Sequence, residues 1–194
     1  MKILEGSIFE EEIFTELKCG GMDLSGRSFK NCTFKQCDFT GCSFAGTLLF
    51  ECVFDTCNLS LVNLTKAKLN QVEFNYSKLA GINLAVLNTL LLKISFKSSI
   101  LKDCNFAALK LKNTAFLDCT IHGCDFYETD LTGSNFTDSD LKETVFENTI
   151  LTKADFSNAR NYTIHPSRNN IKKAVFSMPE ALSLLNTLDI EIKF

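Results

Sequence analysis

The sequence is poor in the residues that usually carry catalysis, and its few candidates stand apart. Among its 194 residues there are two histidines, two prolines and no tryptophan. His122 and His165 have no catalytic companion at a recognisable spacing, and the sequence contains no nucleophile elbow, phosphate-binding loop or zinc-ligand spacing. These absences argue against an enzyme. We therefore expect no catalytic residue, no cofactor and no metal site.

Long apolar segments are missing as well. No run approaches the roughly 18–20 apolar residues that a membrane span needs, and residues 1–12 lack the sustained apolar region of a secretory signal. We expect a cytoplasmic protein with no membrane partner. A length of 194 residues favours a single domain.

What the sequence does contain is a repeat of five residues. Every fifth position is large and apolar in two long blocks, and a small residue stands two positions before most of them. A period of five fits neither a helix nor a strand, and it predicts a solenoid. The large residues are Leu24, Phe29, Phe34, Phe39, Phe44, Leu49, Phe54, Leu59, Leu64, Leu69, Phe74, Leu79 and Leu84, and then Phe96, Leu101, Phe106, Leu111, Phe116, Ile121, Phe126, Leu131, Phe136, Leu141, Phe146, Leu151 and Phe156.

The repeat predicts which side chains form the core. Positions two apart in an extended chain point to the same side, so the small and the large residue of each unit both face inward. The three residues between successive pairs turn a corner and face water. Many stacked corners then form a tube with a solid core, whose coils pair in parallel.

This pattern resembles the pentapeptide-repeat family, whose unit reads small, polar, Leu or Phe, polar, polar. The resemblance covers about residues 24–156. It implies an all-β solenoid, a right-handed quadrilateral parallel β-helix with one unit per face and four units per coil. We assign residues 21–160 to the β-helix and residues 1–20 to an N-terminal cap. Residues 161–194 are assigned to a C-terminal cap and dimerisation segment.

The two blocks of the repeat are out of phase, because Leu84 and Phe96 are twelve residues apart instead of ten. A bulge of two residues within one face, near residues 85–92, preserves the four-sided count, so we predict one continuous rod. One face of that rod then carries an unbroken aromatic ladder. Its members are Phe34, Phe54, Phe74, Phe96, Phe116, Phe136 and Phe156.

The cysteines follow the same repeat. Eight of the nine, all but Cys19, occupy the small inward position. Cysteines twenty residues apart stack in neighbouring coils at ~4.8 Å, a Cα separation that a disulfide tolerates. The repeat already accounts for each of them as a small apolar filler, so we expect reduced, buried thiols.

The C-terminal segment departs from the repeat. His165 stands where similar proteins usually have Asp, and Ser177 with Glu180 forms the pattern of a capping box that begins a helix. Alternating apolar residues over 189–194 predict a short strand. The apolar positions predict a two-fold homodimer interface, with a simple end cap as the alternative. They are Met178, Ala181, Leu184, Leu185, Leu188, Ile190 and Ile192.

Charge is distributed unevenly along the chain. Residues 61–112 contain eight lysines and two acidic residues, whereas residues 118–155 contain nine acidic residues and two lysines. A solvated surface explains most single charges, but the local excess of negative charge creates a field over one half of the molecule. We predict a partner-binding surface there. It comprises Asp118, Asp125, Glu128, Asp130, Asp138, Asp140, Glu143 and Glu147.

The resemblance also implies a function. In size and tail the chain is similar to quinolone-resistance proteins and to immunity proteins against microcin and albicidin. These imply a dimeric DNA mimic that binds DNA gyrase or topoisomerase IV and protects it from quinolones or toxins, without binding nucleic acid itself. Because the repeat lacks long projecting loops, the immunity-type members are nearer. The alternative is a protein-protein interaction scaffold with no topoisomerase link.

Overall fold

The computed structural model describes residues 6–188 and residue 190, and it shows a parallel β-solenoid of about eight coils. Strands one coil apart pair in parallel, and the register advances by twenty residues in most coils, as in the pairing of Phe9 with Phe29 and of Phe34 with Phe54. Strand β7 continues through a corner and joins two neighbouring faces into one sheet. The predicted quadrilateral parallel β-helix is confirmed.

The strands are short because each face holds only one five-residue unit. A 3₁₀ helix, Glu180–Thr187, follows the last coil. The strands are β1 (Ile8–Glu10), β2 (Ile13–Thr15), β3 (Ser28–Lys30), β4 (Thr33–Lys35), β5 (Leu48–Phe50), β6 (Val53–Asp55), β7 (Lys68–Asn75), β8 (Lys78–Ala80), β9 (Lys93–Lys97), β10 (Ile100–Lys102), β11 (Phe116–Leu117), β12 (Thr120–His122), β13 (Val145–Phe146), β14 (Asp155–Phe156), β15 (Thr163–Ile164) and β16 (Val175–Phe176).

One unit shows how the repeat makes a face and a corner. Cys104 and Phe106 are buried, whereas Asn105 between them is half-buried and points outward. Two residues after the phenylalanine, Ala108 has a φ of 59°. This left-handed conformation recurs at nearly every corner, in 24 non-glycine residues and seven glycines of the described chain. It directs the chain from one face of the square coil to the next within two residues.

The small inward residue does more than fill space. Its hydroxyl or thiol donates a hydrogen bond to the carbonyl of the large residue one coil earlier. The Thr129 hydroxyl donates to the Phe106 carbonyl at 2.9 Å, and the Cys52 thiol donates to the Phe29 carbonyl at 3.4 Å. Serine, threonine and cysteine therefore all suit this position, since each is small and brings its own donor.

All nine cysteines are buried and form no disulfide, in agreement with the expectation of free, buried thiols. Burial raises the pKa of Cys52 to about 11 and the pKa of Cys119 to about 12. Cys52 and Cys119 are therefore protonated at neutral pH and lack the thiolate, which is the reactive form of cysteine. They act as packing residues of the core.

The predicted aromatic ladder is present and is longer than expected. Adjacent rings are nearly parallel, with centroids 4.7–5.2 Å apart along the whole stack. A second stack of Phe106, Phe126 and Phe146 lies on the opposite face. The members of the first ladder are Phe14, Phe34, Phe54, Phe74, Phe96, Phe116, Phe136, Phe156 and Phe176.

The phase shift is absorbed locally, as predicted. The Asn88 amide still bonds the Ala67 carbonyl, one regular coil earlier, but Lys93 pairs with Asn70. Three residues more than in a regular coil are thus inserted between Asn88 and Lys93. An irregularity between Asn70 and Val72 reduces this excess to two, because Val72 pairs with Ile94. Phe74 and Phe96 remain stacked at 5.2 Å, so the rod continues through the bulge.

The β-helix extends past both predicted boundaries. At the N-terminus, β1 and β2 pair with β3 and β4, so the coils begin before residue 21. At the C-terminus, β16 pairs with β14, so they continue beyond residue 160 to Phe176. The reason is the same at both ends, because Phe14 and Phe176 extend the aromatic ladder.

The last coil has its own irregularity at His165. Asp140 pairs with Arg160 twenty residues on, whereas Phe146 pairs with Ile164 only eighteen residues on. The lost residues are restored in a turn at 165–168, where the Arg168 amide donates to the His165 carbonyl at 3.1 Å. The coil thus regains its register by Asn170.

The predicted capping box is wrong. The 3₁₀ helix has no side-chain cap, and both polar residues instead bond the backbone of the last coil. The Asn158 amide donates to the Ser177 hydroxyl at 3.1 Å, and the Asn161 amide donates to the Glu180 carboxylate at 2.6 Å. Those two amides belong to the final coil and have no further coil to bond, so the polar side chains of the cap satisfy them.

Replacing Phe116 by alanine is expected to lower the free energy of unfolding by about 3–5 kcal/mol, because it opens a cavity in the ladder between two stacked neighbours. The matched substitution Asp118→Asn changes an exposed corner residue and is expected to alter stability by about 0.5 kcal/mol or less. Chemical denaturation of both variants measures the difference. Equal stabilities would contradict the inward and outward assignment of these positions.

Candidate partner-binding surface

All but one of the nine acidic residues of 118–155, Glu147 being the exception, occupy two kinds of position on the coils. Asp125, Asp130 and Asp140 lie in the middle of a face, between the small and the large inward residue. Most of the others lie at corners, two residues after the large one, in the left-handed conformation. These are Asp118, Glu128, Asp138 and Glu143, with φ between 53° and 61°. The two positions give the carboxylates different surroundings.

A mid-face carboxylate caps the turn that follows it. The Tyr127 amide donates to Asp125 at 2.8 Å, and Asp130 accepts both the amide of Thr132 at 3.1 Å and its hydroxyl at 2.6 Å. Asparagines at the same position in other coils make the same bond, as Asn135 does with the Thr137 amide at 2.8 Å. This side chain-to-backbone bond is the Asx turn.

Asp140 is the most heavily engaged of these carboxylates. Arg160 donates to it through Nε at 3.1 Å and Asn161 through Nδ2 at 2.9 Å, while the His122 Nε2 lies 3.3 Å away. Burial acts to raise the pKa of Asp140, but the hydrogen bonds from Asn161 and Arg160 outweigh it and hold the pKa below its ordinary value. Only 16% of the side chain is exposed.

Asp130 is similarly enclosed. Lys112 of the preceding coil approaches its carboxylate at 3.2 Å, and 17% of the side chain is exposed. The assumption that every acidic residue of this segment points freely into water is therefore wrong for Asp130 and Asp140. Their charges are already neutralised within the rod, and their hydrogen bonds support its turns.

The corner acids form the accessible part of the predicted surface. Asp118 and Asp138 are exposed and stand one coil apart on the same ridge, with Ser98 before them and Asn158 after them. The Ser98 hydroxyl donates to Asp118 at 2.9 Å, and the Asn158 amide group donates to Asp138 at 3.1 Å. Neither aspartate forms an ion pair within the described chain. We call residues 98, 118, 138 and 158 the acidic ridge.

The three glutamates differ in the same way. Glu128 is exposed at the corner diagonally opposite the acidic ridge and forms no ion pair within residues 6–188. Glu143 lies 3.7 Å from Lys142 but is 73% exposed, so this pair is weak. Glu147 is 37% exposed and lies 3.7 Å from Arg168. Glu128 and Glu143 therefore remain available to a partner.

The density of negative charge is comparable to that of duplex DNA. Residues 118–155 carry a net charge of −7 over about two coils, or ~10 Å of axis. Lys112, Arg160 and Arg168 from adjoining coils pair with three of the acids. What remains is about one charge per 2.5 Å, against about one per 1.7 Å in a duplex.

The predicted interface residues fall into two groups. Met178, Leu188 and Ile190 are 69%, 55% and 56% exposed. Ala181, Leu184 and Leu185 are half-buried, and Leu184 packs against the core of the last coil. Ile192 and the predicted strand at 189–194 lie outside the described residues, apart from Ile190. The helix thus packs onto the rod, and the exposed apolar residues lie just before and just after it.

No group of side chains in the described chain is arranged to hold a metal ion. None of its helices combines the length and apolarity that a membrane crossing requires.

The fold defines a class: a repeat protein whose core is built from the large apolar side chains of successive five-residue units. The family model for the pentapeptide repeat region matches residues 27–90 and 87–156. The chain belongs to the pentapeptide repeat family. A comparison with curated proteins finds no match.

Solved structures agree with this fold. Two trypsin-treated forms of QnrB1, a plasmid-mediated fluoroquinolone resistance protein, are similar to the chain. The first has a TM-score of 0.70 at 16% identity and covers 93% of this chain and all of its own. The second has a TM-score of 0.63 at 18% identity, covering 99% of this chain and 94% of the other. At such identities the likeness is one of fold.

The two aspartates Asp140 and Asp138 provide a matched test of these assignments. Asp140→Asn is expected to lower the free energy of unfolding at pH 7 by roughly 1–2 kcal/mol, since it weakens charge-assisted hydrogen bonds. Asp138→Asn should change it by about 0.5 kcal/mol or less. Denaturation at several pH values measures both.

The pH dependence follows from the lowered pKa of Asp140. Its carboxylate stabilises the fold above the ordinary aspartate pKa of about 3.9, and this contribution is lost as the pH falls through the lower value of the folded state. Wild type and Asp140→Asn should therefore differ most at neutral pH and converge in acid. A difference that is constant with pH would show that the charge of Asp140 is not responsible.

Proposed function

We propose that this protein binds DNA gyrase or topoisomerase IV in place of DNA and so protects the enzyme from quinolones or from toxins that act on it. The observation that carries the proposal is the acidic ridge with its neighbouring corner carboxylates, on a rod whose fold is similar over nearly its whole length to that of a fluoroquinolone resistance protein. It acts without a catalytic step, as a cytoplasmic binding protein.

The corner carboxylates suit a surface built to hold phosphates. Proteins meet the phosphates of DNA with lysine and arginine side chains. On the rod, Asp118 and Asp138 repeat at the ~4.8 Å spacing of parallel strands. Glu143 extends the charge to the next corner, and Glu128 adds a charge at the corner diagonally opposite. Because the solenoid fixes these positions before binding, little ordering free energy is lost on association.

We also propose that the protein acts as a homodimer joined through its C-terminal segment. The support is the outward apolar group of Met178, Leu188 and Ile190 beyond the last coil. A two-fold axis at this end would place two acidic segments near the centre of a longer rod and the lysine-rich segments toward its arms. A longer rod would span more of the enzyme's DNA-binding surface.

The role of the corner acids can be tested by neutralising them together. One variant combines Asp118→Asn, Glu128→Gln, Asp138→Asn and Glu143→Gln. It is expected to bind purified gyrase about tenfold or more weakly at low salt, because four screened charge pairs with the enzyme are lost. Its binding should also depend less on salt. Binding across a salt series and quinolone protection in a supercoiling assay are the measurements.

A control variant carries the same change of charge elsewhere. Glu10, Glu11, Glu12 and Glu16 are exposed on the first coil, and two of them also adopt the left-handed corner conformation. Replacing these four by glutamine should leave binding within about twofold. If both variants bind like wild type, or if wild type neither binds nor protects either enzyme, the DNA-mimic proposal fails and the scaffold function is favoured.

The dimer is tested by Met178→Asp combined with Leu188→Asp. Both side chains are more than half exposed, so the monomer fold should survive while a buried carboxylate pair would disrupt the interface. Light scattering is expected to show half the mass of wild type. Leu61→Asp is the control, as Leu61 is 65% exposed and far along the rod. An unchanged mass for the double variant would identify the segment as an end cap only.

A further inference from the structure

Three lysines of the segment 61–112 line a second surface, opposite in charge to the acidic ridge. An open groove of about 630 Å³ runs along the corner where the bulge interrupts the regular stack. Three lysines and one glutamate line it, namely Lys93, Lys110, Lys112 and Glu73. Lys112 pairs with Asp130, whereas Lys93 and Lys110 form no ion pair within residues 6–188.

The bulge presents two large apolar side chains beside this groove. Leu90 is 68% exposed and Leu91 is 72% exposed. The regular coils also expose single apolar residues such as Leu61, but in the bulge two consecutive leucines are exposed, each to a greater extent than Leu61. Burial of these leucines against a partner would remove apolar surface from water, a favourable contribution that is unused in the isolated rod.

The projecting leucines are held in place by the rod. The Asn88 side chain accepts a bond from the Leu90 amide at 3.0 Å, and the Asn70 side chain donates to the Leu91 carbonyl at 2.7 Å. Asn70 lies on β7, one coil earlier. Because both ends of the loop are anchored, a partner would meet a formed surface and not a segment that must first be ordered.

From these features we propose that the groove binds an acidic polypeptide segment that carries a large apolar side chain next to its carboxylates. The carboxylates would pair with Lys93 and Lys110, and the apolar side chain would cover Leu90 and Leu91. The proposal is independent of topoisomerase binding, because it uses different residues and the opposite charge.

A polypeptide fits the groove better than a nucleic acid does. Proteins that bind single strands stack the bases on aromatic side chains, and no aromatic residue lines this groove. Its apolar part is aliphatic. The carboxylates of an acidic peptide are complementary to the lysines, and its apolar side chain is complementary to the aliphatic part of the groove.

The test uses the full chain and a short fluorescent peptide of glutamate and aspartate with two central leucines, measured by anisotropy. A matched peptide has serine in place of both leucines. Lys93→Glu combined with Lys110→Glu is expected to weaken binding of the leucine peptide at least tenfold. Lys66→Glu combined with Lys78→Glu, which makes the same change of charge outside the groove, should leave binding within about twofold.

The apolar half of the site has its own variant. Leu90→Ser combined with Leu91→Ser should weaken binding of the leucine peptide about tenfold and bring it to the level of the serine peptide. Since both leucines are exposed, the melting temperature should be unchanged. Leu61→Ser, which removes another exposed leucine, is the control and should bind like wild type.

Several results would overturn the proposal. Equal binding of the two peptides to wild type, or equal losses in the groove and control lysine variants, would show charge attraction without a site. Tighter binding of single-stranded DNA to the same lysines would identify a nucleic-acid groove. A smaller mass for the Lys93→Glu, Lys110→Glu variant in light scattering would show that a second copy of the chain occupies it.

Discussion

The burial of one large apolar side chain in every five-residue unit is the interaction on which the rest of the rod depends. A left-handed corner directs its amide along the axis, where Ala108, Asn113 and Asp118 bond carbonyls of the next coil at 2.9–3.0 Å. For a non-glycine residue this conformation costs about 1–2 kcal/mol, which one net hydrogen bond of about 0.5–1.5 kcal/mol does not reliably offset. Burial of the large side chain, at ~1.5–3 kcal/mol per unit, decides the balance. The corners are therefore stable only while every unit delivers a large residue to the core.

This dependence explains where the rod tolerates irregularity. At the bulge the additional residues leave the rod between Asn88 and Lys93, so that Phe74 and Phe96 keep their stacking. The last coil is shortened before Ile164 and lengthened at 165–168, so that Phe156 and Phe176 keep theirs. In both places the inward residues hold their register and the outward ones absorb the change. An insertion such as the bulge can thus add exposed side chains, here two leucines, while the packing of the core is retained.

The sequence predicted the core well, because periodicity determines which residues face inward and the phase of the Phe residues places the bulge. It predicted the surface less well, because periodicity alone treats all outward positions as equivalent. Mid-face side chains fold back onto the turn, and the signal for this was the interchange of Asn105 and Asn135 with Asp125 and Asp140 at one position of the unit.

The prediction of a capping box was wrong for a different reason. Its spacing is local, but the open amides of the last coil compete for Ser177 and Glu180. The early start of the coils was missed because Glu12 occupies a small position, yet it is exposed and leaves the pairing of β2 intact.

These distinctions restrict how the rod can imitate a duplex. Charge on DNA is distributed around the whole helix, whereas here the mid-face carboxylates are tied to turns and to cations such as Lys112 and Arg160. Only the corners remain free to display charge, so the negative field is concentrated along ridges. The Debye length at physiological ionic strength is about 8 Å, less than two coils at ~4.8 Å each. The lysine groove and the acidic ridge lie on adjoining coils, less than one Debye length apart along the axis, so salt does not fully screen one from the other. Because the free carboxylates are confined to corners, the DNA mimicry proposed above would present separate ridges of negative charge instead of the uniformly charged surface of a duplex.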